Sequence, residues 1–238
     1  MTLTTADGPM GAHLAMPTGA GPHPALVVVQ EAFGVNEHIR DVGRRFAREG
    51  FVALAPEVFH RAGAGIEIAY SDVPSAKAQL AHLTNAGLEQ DLAAALATLR
   101  ARPEVDARRV GVVGYCVGGF AAFLAACRLD PAAVVSYYGG GIARARPGLL
   151  LEPLLDEAAG IRAPTLCLFG SEDGGIPPAD VDAIRTRLAS LAGEHEVVVY
   201  DGARHAFFCD LRPAYHPAAA QASWVRTLEW FGRWLRGD

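Results

Sequence analysis

The chain has 238 residues, 51% of them hydrophobic and 20% charged, enough for one sizeable α/β domain with a full core. Its net charge is -5 with no basic run or stripe, so nothing suggests nucleic-acid binding. No apolar stretch approaches the ~20 residues of a membrane span, and MTLTTADGPM at the start lacks the basic and apolar regions of a signal peptide, so a cytoplasmic protein is expected.

Residues up to about Pro22 read as one or two edge strands with glycine-rich turns. Ala25 to Val29 is a valine-rich strand of the kind buried on both faces. It runs into Gln30-Glu31-Ala32-Phe33-Gly34-Val35-Asn36. A glutamate at the end of a buried strand is unusual, because an unpaired buried carboxylate is costly. In an open α/β sheet that end of a strand is also where ligands bind, although a solvated loop carboxylate is the plainer reading. Asn36 caps an expected helix to about Glu49, with Ile39, Val42 and Phe46 on one face and Gly50 ending it. Phe51 to Ala55 is a further strand, followed by Pro56-Glu57-Val58-Phe59-His60-Arg61. Residues 62–85 mix Gly, Ala, Ser and Pro and read as a loop with short helical pieces, able to act as a lid or substrate wall. Leu88, Leu92, Leu96 and Leu99 mark an amphipathic helix.

The most informative stretch is Arg109 to Phe120, RVGVVGYCVGGF. A valine-rich strand meets Gly114-Tyr115-Cys116-Val117-Gly118, and a helical composition continues to Cys127. A strand, a turn with glycines flanking one nucleophilic side chain, then a helix is the design of a nucleophile elbow. Glycine tolerates the sharp turn, and the helix N-terminus favours a thiolate. The bland alternative is that Cys116 is a small buried hydrophobe in a glycine-rich chain. The other cysteines, Cys127, Cys167 and Cys209, form no C-x-x-C pair with it, so no metal site or disulfide framework is indicated, and a reducing compartment would keep Cys116 free.

Ala132 to Tyr137 is the next strand, ahead of Gly139-Gly140-Gly141, with loop and short helix over 142–160. Pro164 to Phe169 is a strand whose loop carries Asp173, with Glu172 as the rival acid. Val181, Ile184, Leu188 and Leu191 define a helix, Val197 to Tyr200 the last strand, and its loop carries His205. Trp224, Leu228, Phe231 and Leu235 stripe the closing helix, and Trp224, Trp230 and Trp234 read as packing residues. Strands and helices alternate throughout, so a mostly parallel sheet covered on both faces is expected, in a single domain over 1–238. Cys116, Asp173 and His205 each lie just past a strand, in the order nucleophile, acid, histidine of an α/β-hydrolase triad. His205 would take the thiol proton and later hand it to the leaving group, and Asp173 would fix its tautomer.

QEAFGVN at 30–36, PEVFHR at 56–61, GYCVGG at 114–119, Asp173 in GSEDGGIP and His205 in GARHAF together resemble the dienelactone hydrolase family across nearly the whole chain. The resemblance implies an α/β-hydrolase fold, a Cys116–His205–Asp173 triad, and Glu31 as the glutamate that interacts with the thiol and helps generate the thiolate when substrate arrives. It places the oxyanion hole at the backbone N–H groups of Val117 and Ala32. The implied reaction is hydrolysis of a lactone or ester through a thioester, with no metal or organic cofactor. One departure stands out: the family's best-known members hold the substrate carboxylate with arginines, one of them four residues after the histidine, where this chain has Cys209. Arg61, Arg204 and Arg212 are the candidates for an anion contact, and a relative acting on a neutral lactone or ester is the alternative. The partner expected is a small-molecule ester or lactone, with neither nucleic acid nor membrane, and the chain a monomer or small homo-oligomer. Two rivals are a glutamine amidotransferase-like thiol enzyme, which usually shows a late His-x-Glu pair absent after Cys116, and a catalytically silent hydrolase fold that binds a ligand or protein.

Overall fold

The computed structural model describes residues 1–236. Eight strands form its sheet: β1 (Thr2–Thr5), β2 (Gly8–Ala15), β3 (His23–Val29), β4 (Val52–Pro56), β5 (Val105–Tyr115), β6 (Val134–Tyr137), β7 (Thr165–Gly170) and β8 (His195–Tyr200). Their order is β1-β2-β4-β3-β5-β6-β7-β8. The β1–β2 and β2–β4 pairs are antiparallel, and all pairs from β4 through β3, β5, β6 and β7 to β8 are parallel. Valine runs in β3, β5 and β6 are buried on both faces, as a parallel sheet covered by helices requires. Edge strand β1 instead alternates exposed Thr2 and Thr4 with buried Leu3. This is the mostly parallel, helix-covered sheet expected from the alternation of strands and helices, and the α/β-hydrolase architecture that the resemblance implied.

Six α-helices are found among the described residues, α1 (Glu37–Arg48), α2 (Val73–Leu80), α3 (Asn85–Arg100), α4 (Val117–Arg128), α5 (Pro178–Ala189) and α6 (Pro217–Phe231), all but α2 packing on the sheet. In α1 the Asn36 side chain accepts from the Ile39 N–H at 3.3 Å, and Ile39, Val42 and Phe46 are fully buried. The segment 62–85, read as loop with helical pieces, contains the full helix α2, capped by Asp72 with Pro74 in its first turn. Helix α6 starts at Pro217, earlier than its tryptophan stripe, because the His216 ring accepts from the Ala219 N–H at 3.2 Å and caps it. Strand β5 reaches back to Val105, beyond the apolar run that announced it. No helix is long and apolar enough to cross a membrane among the described residues.

Parallel pairing from β3 to β8 gives five strands a common carboxyl edge. Glu31 follows β3, Cys116 follows β5, Tyr138 follows β6, Asp173 follows β7 and His205 follows β8. Residues far apart in sequence thus converge on the crevice where ligands of such sheets bind.

Candidate active site

Strand β5 passes directly into α4 through Cys116, whose φ is 58°. That left-handed conformation is rare for a residue with a side chain and marks stored strain. The surrounding glycines explain how it is tolerated. A Cβ at Gly114 would lie 1.8 Å from the Gly118 carbonyl oxygen, and one at Gly118 would lie 2.3 Å from the Val29 oxygen. A Cβ at Gly119 would lie 2.3 Å from the Tyr137 oxygen. The turn is therefore wedged between β3 and β6 with backbone touching backbone. The Cys116 N–H is held by the Tyr137 carbonyl at 3.1 Å. This packing leaves the Cys116 thiol partly open above the sheet, at the N-terminus of α4.

His205 Nε2 lies 3.1 Å from Cys116 Sγ, and His205 Nδ1 lies 2.7 Å from Asp173 Oδ2. Asp173 is buried, and its other oxygen accepts from the Gly175 N–H at 2.9 Å, so the carboxylate is fixed by its own loop. Burial by itself disfavours a charged His205. The interaction with Cys116 and the hydrogen bond to Asp173 outweigh it and raise the imidazole pKa to about 10. The next residue, Ala206, also has a positive φ of 67°, as does Tyr138 at 37°, so all three non-glycine residues of this kind among the described residues adjoin one crevice. The N–H groups of Ala32 and Val117 donate to no protein acceptor outside a helix among the described residues. Val117 is the first residue of α4, where an N–H has no partner within the helix.

Glu31 is 1% exposed. Its Oε1 accepts from the Tyr138 hydroxyl at 3.3 Å, and Arg212 Nη1 lies 3.8 Å from its Oε2. The resemblance implied a contact between Glu31 and the thiol; here the sulfur's hydrogen bond goes to His205 and the carboxylate is turned to Tyr138 and Arg212. Arg212 also lies over the rings of Phe33 and Tyr70, at 5.1 and 5.5 Å from their centroids. Tyr70 in turn accepts from Asn36 Nδ2 at 3.1 Å and from the Cys209 thiol at 3.3 Å. The Ile68 N–H donates to the Phe33 carbonyl at 3.1 Å, and a Cβ at Gly34 would lie 1.9 Å from the Ile66 oxygen. Residues 66–70 are thus laid against the QEAFGVN loop and wall the site.

A cavity of about 530 Å³ opens over Cys116 and His205. Arg212, Arg146 and Lys77 line it, beside Phe33, Leu80 and Leu149. Of the three arginines picked out by sequence, only Arg212 is there. Arg61 is a correction: its guanidinium binds Asp7 at 2.7 Å and Asp91 at 2.8 Å, at a separate small cavity beside Gly87 and Leu88. Arg204 is a second correction, since its side chain is exposed and does not line the cavity. Sequence reading missed Tyr138, Tyr70, Arg146 and Lys77. Tyr138 carried a signal, its place just past a parallel strand, and Lys77 another, as the only lysine in the chain. Arg146 lies in a loop with no such mark.

A model of the dienelactone hydrolase family matches residues 10–235. The chain belongs to the dienelactone hydrolase family. It is 35% identical to a Synechocystis protein provisionally assigned as a carboxymethylenebutenolidase, covering 97% of this chain and 94% of that one. A Methylorubrum extorquens protein with the same provisional assignment is 38% identical, over 94% of this chain and 77% of its own length. Among solved structures, a provisionally assigned dienelactone hydrolase from Klebsiella pneumoniae superposes with a TM-score of 0.88 at 36% identity, covering 98% of this chain and 97% of that chain. Membership of this family makes the chain a dienelactone hydrolase-like hydrolase.

Proposed function

We propose that this family member is a cysteine-dependent hydrolase of lactones or esters that bear an anionic group. Cys116, as thiolate, attacks the carbonyl carbon, and the oxyanion of the tetrahedral intermediate is received by the Val117 and Ala32 N–H groups. Collapse of that intermediate opens the ring or expels the alcohol and leaves a thioester on Cys116. His205 supplies the proton to the leaving oxygen, then takes one from water as it attacks the thioester, releasing the acid and the thiol. Asp173 holds the imidazole in the required tautomer. Glu31 swings from Tyr138 and Arg212 to accept the thiol proton, and returns it to the sulfur when the acid leaves.

The observation that carries this reading is the unbroken chain from Cys116 Sγ through His205 to Asp173, with contacts of 3.1 and 2.7 Å. The preference for an anionic substrate rests on Arg212, Arg146 and Lys77 around one cavity, none of the latter two paired with a carboxylate among the described residues. Arg212 thus supplies, three residues later, the cation that Cys209 lacks.

Cys116→Ala should abolish hydrolysis of p-nitrophenyl acetate and of a carboxylated dienelactone; undiminished turnover would refute the nucleophile. Comparing carboxylated dienelactones with neutral lactones and esters tests the substrate class. Arg212→Ala and Arg146→Ala should each raise KM for the carboxylated compound by about tenfold, the loss of one charge-assisted contact, and Arg146→Ala should leave neutral esters within about twofold. Equal KM effects on both classes would remove the anionic preference.

A further inference from the structure

Behind the crevice lies a group of buried polar atoms of which the reaction above uses only the Glu31 carboxylate. His38, in the first turn of α1, is 1% exposed, and neither of its ring nitrogens has a hydrogen-bond partner among the described residues. Glu31 Oε2 and the fully buried Tyr115 hydroxyl are in the same condition. These groups form one patch: the His38 and Tyr115 rings are 6.3 Å apart, and Tyr115 is 6.3 Å from Tyr138, whose hydroxyl binds Glu31. An unpaired buried polar atom costs about 1–3 kcal/mol, so three residues bearing them in one place call for a reason.

Charges reach His38 from every element around it. Glu31 acts from the loop after β3, Asp210 from the loop after β8, and Arg45 and Asp41 from α1 itself. Asp210 Oδ1 is 3.7 Å from His38 Nδ1, too long for a hydrogen bond but short enough for one to form when the ring is charged. The rings of Tyr115 and Phe208 cover its remaining sides edge-on. Burial, with help from Arg45, holds the imidazole pKa below its ordinary value, while the three carboxylates oppose that.

We propose that His38 is a positioning residue that acts through Glu31, its protonation deciding whether the carboxylate stays withdrawn beside Tyr138 or moves to the Cys116 thiol. The inference rests on the reading of Cys116 as nucleophile and Glu31 as its proton acceptor. As pH falls, His38 takes a proton from solvent by way of the half-exposed Asp210, and the imidazolium holds the Glu31 carboxylate where it now stands. As pH rises the proton returns to Asp210 and solvent, and Glu31 is released to take the thiol proton. Only N–H, O–H and S–H bonds change, and each proton lost by one group is gained by the next.

The test is the rate of Cys116 alkylation by iodoacetamide from pH 5 to 8, with the labelled peptide identified by mass spectrometry. The wild-type rate should show a step below about pH 6.5 that reports His38. His38→Gln should lack that step and react about fivefold faster than wild type at pH 5, a coupling of ordinary size. Glu31→Gln should lack it as well, and adding His38→Gln to that variant should change nothing further. Asp210→Asn, a surface change that spares the core, should move the step to lower pH, because an anion favouring the imidazolium is gone. A His38→Gln profile that superimposes on wild type, or an effect that persists in the Glu31→Gln background, overturns the proposal; so does an unmoved step in Asp210→Asn, even should His38→Gln fail to fold. Full activity of Cys116→Ala would sink the nucleophile reading on its own, which separates the two failures.

Discussion

A side chain at φ 58° is held in place only where its surroundings leave no alternative, and Cys116 meets that condition through its glycine neighbours. The cost of violating it is predictable. Gly114→Ala brings a methyl group to 1.8 Å from the Gly118 oxygen, so backbone must move. A loss of about 3 kcal/mol is expected, which in a chain of this size lowers the melting temperature by roughly 6–12 °C. Gly174→Ala, with nothing within 4 Å of the new methyl group, is the matched control and should change stability by under about 0.5 kcal/mol. Equal melting temperatures for the two variants would mean that the elbow is looser than its contacts imply. GYCVGG was legible as an elbow because these contacts are local in sequence or arise from any strand-to-helix turn this sharp. The partners of Arg61 were not legible, because Asp7 and Asp91 reach it from strand-distant segments.

At the scale of elements, α3 is bound to the loop after β4 by an ion cluster outside the crevice. Asp91, fully buried on α3, accepts from Arg61 at 2.8 Å and lies 3.0 Å from His60 Nε2, while Arg61 also reaches Asp7 between β1 and β2. PEVFHR thus joins three elements, and its arginine is structural here. Asp91→Ala leaves a cation and a buried imidazole without their common partner and should destabilise the protein by about 3 kcal/mol in urea unfolding. Its kcat/KM at 25 °C should stay within about twofold of wild type, since no residue of the cluster touches the cavity. A large loss of activity with unchanged stability would return Arg61 to the site. Helix α2 shows why 62–85 was hard to read: only Ala76 of its residues is buried, so it carries no apolar stripe. Its place over the crevice comes from the wall at 66–70 that precedes it.

Over the whole molecule two histidines bracket the pH range of stability. His205 has its pKa raised to about 10, above the unfolded value of about 6.5. Its contribution is complete below about 6.5 and is lost as pH rises through about 10. His38 is shifted the other way by burial, so its contribution is present above about 6.5 and is lost as pH falls below that value. Urea midpoints should therefore be highest near neutrality and fall on both sides. Cys116→Ala should flatten the alkaline fall, because Cys116 is the largest influence raising His205. An alkaline fall of wild-type size in that variant would assign it to other groups.

The amino-acid order alone determined the alternation of strands and helices and the elbow, because these rest on local propensity, turn sterics and hydrophobic period; the family resemblance rested on the motifs QEAFGVN, PEVFHR, GYCVGG, GSEDGGIP and GARHAF. Parallel pairing was implied by that alternation, and it carried Glu31, Cys116, Asp173 and His205 to one edge whatever the loops did. The tertiary structure alone decided which cations face the cavity, where Glu31 points, and that His38 lies buried behind it. Those matters depend on how flexible side chains and loops pack across the crevice. Charge interactions there fall off over a few ångströms, a scale that spacing along the chain does not encode.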